Sequence, residues 1–185
     1  DIVDRPQAGG GLLDSQSAGL AVQVSGATDR GQVRDNNGDS VWWRHEACDG
    51  SDVVVLAVAD GMGGPAGEIA SRAAINECRR SLIGEISPRE APRRLSDAVR
   101  AANARVHNLA QTSEEYAGMG ASLAIALVLA DRLYVAQAGD SRCYLVRSGA
   151  CTRITAGQTP AAGEETAGQP DAADTAQEAA GTVAY

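Results

Sequence analysis

The chain has 185 residues, a formal net charge of −8 and 16 basic residues that are all Arg. That length fits about one domain, and the acidic balance argues against a general binder of nucleic acid or anionic membrane, because phosphate repels it. No apolar run approaches the roughly 18 residues of a membrane span. No basic-then-apolar signal segment opens the chain, and the missing start Met leads us to expect a trimmed or partial chain. The cysteines at 48, 78, 143 and 151 form no C-x-x-C pair. That spacing argues against zinc and for free thiols in a reducing, cytoplasmic setting.

Residues 1–19 are Gly- and Ser-rich and read as a flexible N-terminal arm. Leu20 to Thr28 alternates weakly and reads as a strand; Asp39 to Arg44 reads as a short strand with Trp42 and Trp43 on opposite faces. The continuous apolar run before Asp60, Asp52 to Ala59, fits a strand buried on both sides. Gly67 to Leu82 is helical, with Ile69, Ala70, Ala73, Ala74 and Cys78 on one face. Ser87 before Pro88 predicts a helix start, and Leu95, Ala98, Val99, Ala102, Val106 and Leu109 carry that helix to about Ala110. Strands follow over Ala121 to Leu129, Leu133 to Ala138 and Arg142 to Arg147, which turns at Ser148-Gly149 into Cys151 to Thr155. The order is α+β: antiparallel sheet covered by a pair of helices, with a body over 20–155. Residues 156–185 hold five acidic groups, no basic one and little to bury, so a disordered Ala/Thr/Glu-rich tail is expected, with at most a helical turn near 172–180.

Three clusters could carry chemistry. Asp60-Gly61-Met62-Gly63-Gly64 follows the buried strand, so Asp60 emerges at a sheet edge and the Gly61 carbonyl can approach the same ion; a Gly-rich turn capped by Asp is the alternative. Thr28-Asp29-Arg30-Gly31 and Arg34-Asp35-Asn36-Asn37-Gly38-Asp39 place Arg34 on a loop, as a fork for phosphate oxygens or as a surface ion pair. Gly139-Asp140-Ser141-Arg142 is a strand-end acid or a plain charged turn. Asp39, Asp60 and Asp140 could converge at one sheet edge, where a divalent cation would neutralise them. Oxygen ligands without His favour magnesium or manganese. Ser122 and Ser141 have no paired His, and His45 and His107 read as ordinary surface or helix residues.

In order, Thr28-Asp29-x-Gly31-x-x-Arg34-x-x-Asn37-x-Asp39, Ala59-Asp60-Gly61-Met62-Gly63-Gly64, Gly118-Met119-Gly120-Ala121-Ser122 and Gly139-Asp140-Ser141-Arg142 resemble the metal-dependent serine/threonine protein phosphatases of the PPM, or type 2C, family, bacterial branch. The resemblance implies a PPM-type α-β-β-α sandwich, two antiparallel sheets flanked by helix pairs, here incomplete at the C-terminus. It implies that Asp60 bridges two Mn2+ or Mg2+ ions, that the Gly61 carbonyl binds one of them, and that Asp39 lies beside the metal waters. It further implies that Asp140 sits near an additional ion and that Arg34 holds the substrate phosphate. The reaction implied is attack of a metal-activated water on a phosphorylated Ser or Thr of a protein or peptide.

Two departures stand beside the match. Gly38 occupies the place of a metal-ligating Glu, and the family's C-terminal Ser-Asp-Gly and Asp-Asn motifs have no counterpart; Asp171 and Asp174 lie where no strand pattern places them. The resemblance therefore implies a phosphatase of impaired activity. The alternative is an inactive pseudophosphatase, or a partial domain that acts as a binding or regulatory module.

Overall fold

The computed structural model describes residues 22–48, 51–156 and 176–179. The expected N-terminal arm and most of the expected tail lie outside these residues. Seven strands and two long helices are present among them: β1 (Asp39–Cys48), β2 (Ser51–Met62), α1 (Ala66–Ser81), α2 (Ala91–Ala110), β3 (Gly120–Leu129), β4 (Arg132–Ala138), β5 (Tyr144–Arg147), β6 (Ala150–Arg153) and β7 (Ala176–Ala179). One antiparallel sheet has the order β1-β2-β3-β4-β7, and β5-β6 form a separate hairpin.

Both helices pack on one face of the large sheet, α1 against β1, β2 and β3, and α2 against β3, β4 and β7. Strand alternation sends Val53, Val55, Ala57 and Ala59 of β2 and Leu123, Ile125, Leu127 and Leu129 of β3 into this layer. They meet Ala70, Ala74, Ile75 and Cys78 of α1 and Leu95, Ala98, Val99, Ala102 and Val106 of α2. Of the helix faces expected from the periodicity these residues are buried, while Ile69, Ala73 and Leu109 are half-buried at the margin of the core. Trp42 joins this core, whereas Trp43 points to the other side of β1. On that outer face Leu56 and Val58 are 36% and 43% exposed, while Val54 is buried.

Three expectations change. Residues 22–30 form no strand. Gly26 instead passes so close to the Trp43 ring that an added Cβ would lie 2.8 Å from Cζ3, so this segment covers the indole, and among the described residues β1 is an edge strand. The second helix starts at Ala91, not at Pro88. Ser87 caps a preceding turn, its carbonyl accepting from Glu90 N and Ala91 N at 3.0 Å, and Pro92 takes the first-turn place for which a missing N–H is harmless. Finally, Ala176–Ala179, inside the expected disordered tail and its helical turn, pairs as β7 with β4. The free backbone edge of β4 explains the strand, because unpaired N–H and C=O groups recruit any extended segment within reach.

Turns obey backbone geometry. Ser148 and Gly149 both have positive φ, 50° and 79°, the two-residue turn that matches hairpin twist between β5 and β6. Arg44, reaching inward from β1, donates to the Leu82 and Gly84 carbonyls, and Arg94 of α2 donates to Ser81 and Ile83 O, so two guanidinium groups hold the C-terminal end of α1.

Candidate metal centre and phosphate loop

The site grows from the register of three strands. Asp39 opens β1 directly opposite Asp60 near the end of β2, and Asp60 faces Ser122 of β3 on its other side. All three lie on the sheet face away from the helices. Burial, the Asp39 carboxylate beside it, a hydrogen bond with that carboxyl, and the charge of Asp140 all push the Asp60 carboxyl above its ordinary range; Arg34 pulls it down. Of the three acids expected at one sheet edge, Asp39 and Asp60 stand side by side, and Asp140, like Arg34, reaches Asp60 through its charge. Neighbouring carboxylates repel one another, and a hard dication relieves that repulsion.

Glycines bring the backbone into this corner. The Gly61 N–H donates to Gly38 O at 3.0 Å, tying the Arg34 loop to the end of β2. The Gly61 carbonyl oxygen lies between Gly38 and Gly67, 3.0 Å and 2.6 Å from where their Cβ atoms would be. A side chain at either position would fill this cradle. Gly63, with φ of +104°, passes over Met119, where an added Cβ would lie 2.8 Å from the Met119 Cα. The helix start is thereby fixed against the Gly118-Met119-Gly120 segment.

The loop carrying Arg34 is braced from within. Asn37 Nδ2 donates to Thr28 Oγ1 at 2.8 Å, Asn37 Oδ1 accepts from Asp39 N at 3.0 Å, and Asp29 Oδ1 accepts from Gly31 N at 2.7 Å. Arg34 itself is exposed, its Nη1 3.9 Å from the place of a Gly38 Cβ. Asp140 is set by its neighbour: the Ser141 hydroxyl hydrogen-bonds the buried Ser122 hydroxyl, and Gly139, with φ of +82°, packs on Ser122. Sequence reasoning set Ser122 and Ser141 aside as nucleophiles and kept them only as members of motifs; they are braces. It also assigned no role to Thr28 and Asn37, although the Asx-turn chemistry of Asn and Asp is a usable signal. Nearby, Gln137 is buried, donates to Gly139 O and Ala156 O, and leaves its Oε1 without a partner among the described residues.

The donors fit a hard cation in kind: carboxylates and one backbone carbonyl, with neither thiolate nor imidazole. They fall short in number. Among the described residues no three His, Cys, Asp or Glu side chains close into a metal cage, so Asp39 and Asp60 form a contact pair on which Asp140 acts from farther away. At Gly38 no carboxylate is available. The two histidines lie elsewhere; His45 meets Asp52 at 3.5 Å, and His107 is exposed on α2.

A two-helix layer on an antiparallel sheet thus carries an Asp pair, a Gly-cradled carbonyl and an Arg loop at one sheet end. The Protein phosphatase 2C family matches residues 28–167, and the chain belongs to that family. It is similar to the serine/threonine protein phosphatase PstP of Mycobacterium tuberculosis, 36% identical over 141 residues, which are 76% of this chain and 26% of PstP. It is also 34% identical over 138 residues to a putative protein phosphatase 2C-type of Streptococcus pyogenes, 72% of this chain and 54% of that protein. A crystal structure of the PstP catalytic domain in complex with two manganese ions superposes with a TM-score of 0.62 at 37% identity, covering 72% of this chain and 54% of that one. The chain thus spans from about a quarter to about half the length of these relatives. The antiparallel sheet and helix pair agree with the fold that the resemblance implied; the family match also runs past Thr155 to residue 167.

Proposed function

We propose that this chain carries the phosphate loop and part of the metal-binding wall of a protein serine/threonine phosphatase, with hydrolysis impaired in the chain as it stands. The observation that carries this reading is the Asp39–Asp60 contact under the charge of Asp140, faced by Arg34. In this reading Asp60 and Asp39 hold Mn2+ or Mg2+ together with the Gly61 carbonyl, and Asp140 adds charge at the rim. Bound there, such an ion supplies an activated water and neutralises charge on the phosphoryl group. Arg34 binds the phosphate of a phosphorylated Ser or Thr through its planar fork, oriented by the Thr28–Asn37 brace. The Ser122–Ser141 pair keeps Asp140 at the site. No side chain is asked to become a covalent nucleophile.

Impairment follows from the donor count. Each absent carboxylate leaves metal charge uncompensated, and affinity falls accordingly. The same shortfall favours a second reading, a phosphoprotein-binding module, because the Arg34 loop is built whether or not an ion is held. A cytoplasmic setting belongs to this reading; the free thiols of Cys78, Cys143 and Cys151 suit a reducing compartment. No helix among the described residues is long and apolar enough to cross a membrane.

The test uses a phosphothreonine peptide with and without millimolar manganese, followed by phosphate release and by fluorescence anisotropy. The phosphatase reading predicts slow, manganese-dependent release that disappears in Arg34→Ala. Binding that needs Arg34, without release, moves the chain to the second reading. Neither release nor Arg34-dependent binding, from folded protein, refutes both.

A further inference from the structure

The charge of this acidic chain is divided by layer. Residues 66–110, which hold both helices, carry eight Arg and five acidic residues; all other residues carry eight Arg and 19 acidic residues. The helix layer is therefore positive on a protein of net charge −8. At physiological salt, charges interact over only about 8 Å, so a ligand on the solvent side of the helices senses this layer rather than the whole chain.

A groove of about 330 Å³ runs between the helices on that side. Its floor is apolar, made by Ile69, Ala73 and Leu109, and its rim carries three cations, Arg72, Arg80 and Arg105, with Asn76 and one carboxylate, Glu68. Arg72 and Arg80 are about 70% exposed and reach Glu68 at 3.5 Å and Glu77 at 3.0 Å, contacts that leave several guanidinium N–H groups of each open. Arg105 makes no ion pair among the described residues. Arg72 and Arg80 lie about two turns apart on α1 and Arg105 lies on α2, so the groove has cations on both of its walls. An extended segment with several carboxylates and an apolar side chain or two would meet all three and the floor.

We propose that the α1–α2 groove is a docking site for an acidic peptide segment of a partner protein, with apolar residues among its carboxylates. Charge complementarity selects this occupant: Arg forks match carboxylates, and the Ile69–Leu109 floor rewards an aliphatic anchor that neither a nucleic-acid backbone nor a lipid headgroup offers. The site is separate from the Asp39–Asp60 corner and goes beyond the phosphatase reading. It needs neither a metal nor a phosphorylated residue, so its failure would leave that reading untouched.

The experiment titrates the full chain into a short fluorescein-labelled peptide of Glu and Leu, and into its counterpart with Gln for Glu. The Glu peptide should bind at least about tenfold more tightly at low salt, and the preference should shrink as salt rises. Arg105→Ala should weaken binding about threefold and Arg105→Glu more, whereas Arg93→Ala, which removes a contact to Asp97 outside the groove, should leave it unchanged. Circular dichroism identifies any variant that fails to fold, and resonances of Ile69 and Leu109 should shift on binding. Equal affinity for the two peptides, or no effect of both Arg105 variants, overturns the proposal. So does tighter, Arg105-dependent binding of phosphatidylglycerol vesicles or single-stranded RNA.

Discussion

Gly67→Ala sets helix propensity against a backbone contact. Gly67 lies in the first turn of α1, where Ala would ordinarily stabilise a helix by about 1 kcal/mol. Its added methyl would lie 2.6 Å from the Gly61 carbonyl oxygen, 2.9 Å from the Gly61 carbonyl carbon and 3.2 Å from Met62 N. All three are main-chain atoms of a paired strand, so no side chain can swing away. Overpacking against rigid neighbours costs about 3 kcal/mol or more, and the net loss should be about 2–3 kcal/mol, near 10 °C in Tm. Gly64→Ala is the control. Its φ is +63° with nothing within 4 Å of a Cβ, so only the left-handed backbone is penalised, by about 1 kcal/mol. Urea unfolding followed by circular dichroism measures both. A Gly67→Ala variant as stable as the parent, or more stable, refutes the close approach of α1 to the end of β2, and with it the cradle around the Gly61 carbonyl.

Three further outcomes follow. In chelator, Asp60→Asn should raise stability at neutral pH: the folded state holds the Asp60 proton to higher pH than the usual 3.8, so native stability falls as pH rises through that window and the gain should vanish below it. Melting curves across pH check the sign, and an Asn variant less stable than the parent at neutral pH refutes it. Burial pushes the Cys78 thiol up to about 12, so at pH 8 iodoacetamide should label exposed Cys151 rapidly and Cys78 only under unfolding conditions, as read by mass spectrometry. Leu95→Ala, at a fully buried core position, should cost about 3 kcal/mol in urea unfolding; a loss below about 1 kcal/mol would show that α2 is not held to the sheet as described.

What the sequence made legible was set by local order. The Val53–Ala59 run and the Leu95–Val106 period specify a buried strand and a buried helix face without reference to anything distant, and both are where they were expected. Elements that depend on a partner were not legible in this way. The alternation at 20–28 has strand character, but the nearby edge of β1 meets it through the Trp43 ring and not through a hydrogen-bond ladder. Ala176–Ala179 has little strand character and pairs because β4 has a free edge. Ser87-Pro88 carries a helix-start signal, yet Ser87 spends its carbonyl on the turn that precedes Ala91.

The site divides along the same line. Acids at strand ends point to Asp39, Asp60 and Asp140, and an Arg on the loop before Asp39 points to Arg34. The Thr28–Asn37 and Ser122–Ser141 braces and the Gly61–Gly67 approach join residues that are separated in sequence and meet only in the fold. The motifs contain most of these residues but do not say which of them touch. The same geometry weighs on restoration of a side chain at Gly38: its Cβ would enter 3.0 Å from the Gly61 oxygen, so the strand end must yield slightly before a carboxylate can reach the corner.

The central claim is that the Asp39–Asp60 corner holds a hard dication through this chain's own residues. Isothermal titration of manganese into the metal-free chain and into Asp60→Asn tests it most directly. The account predicts weak binding, in the millimolar range, by the parent chain, and none by Asp60→Asn. Equal manganese binding by the two proteins, or none by the folded parent, would contradict it.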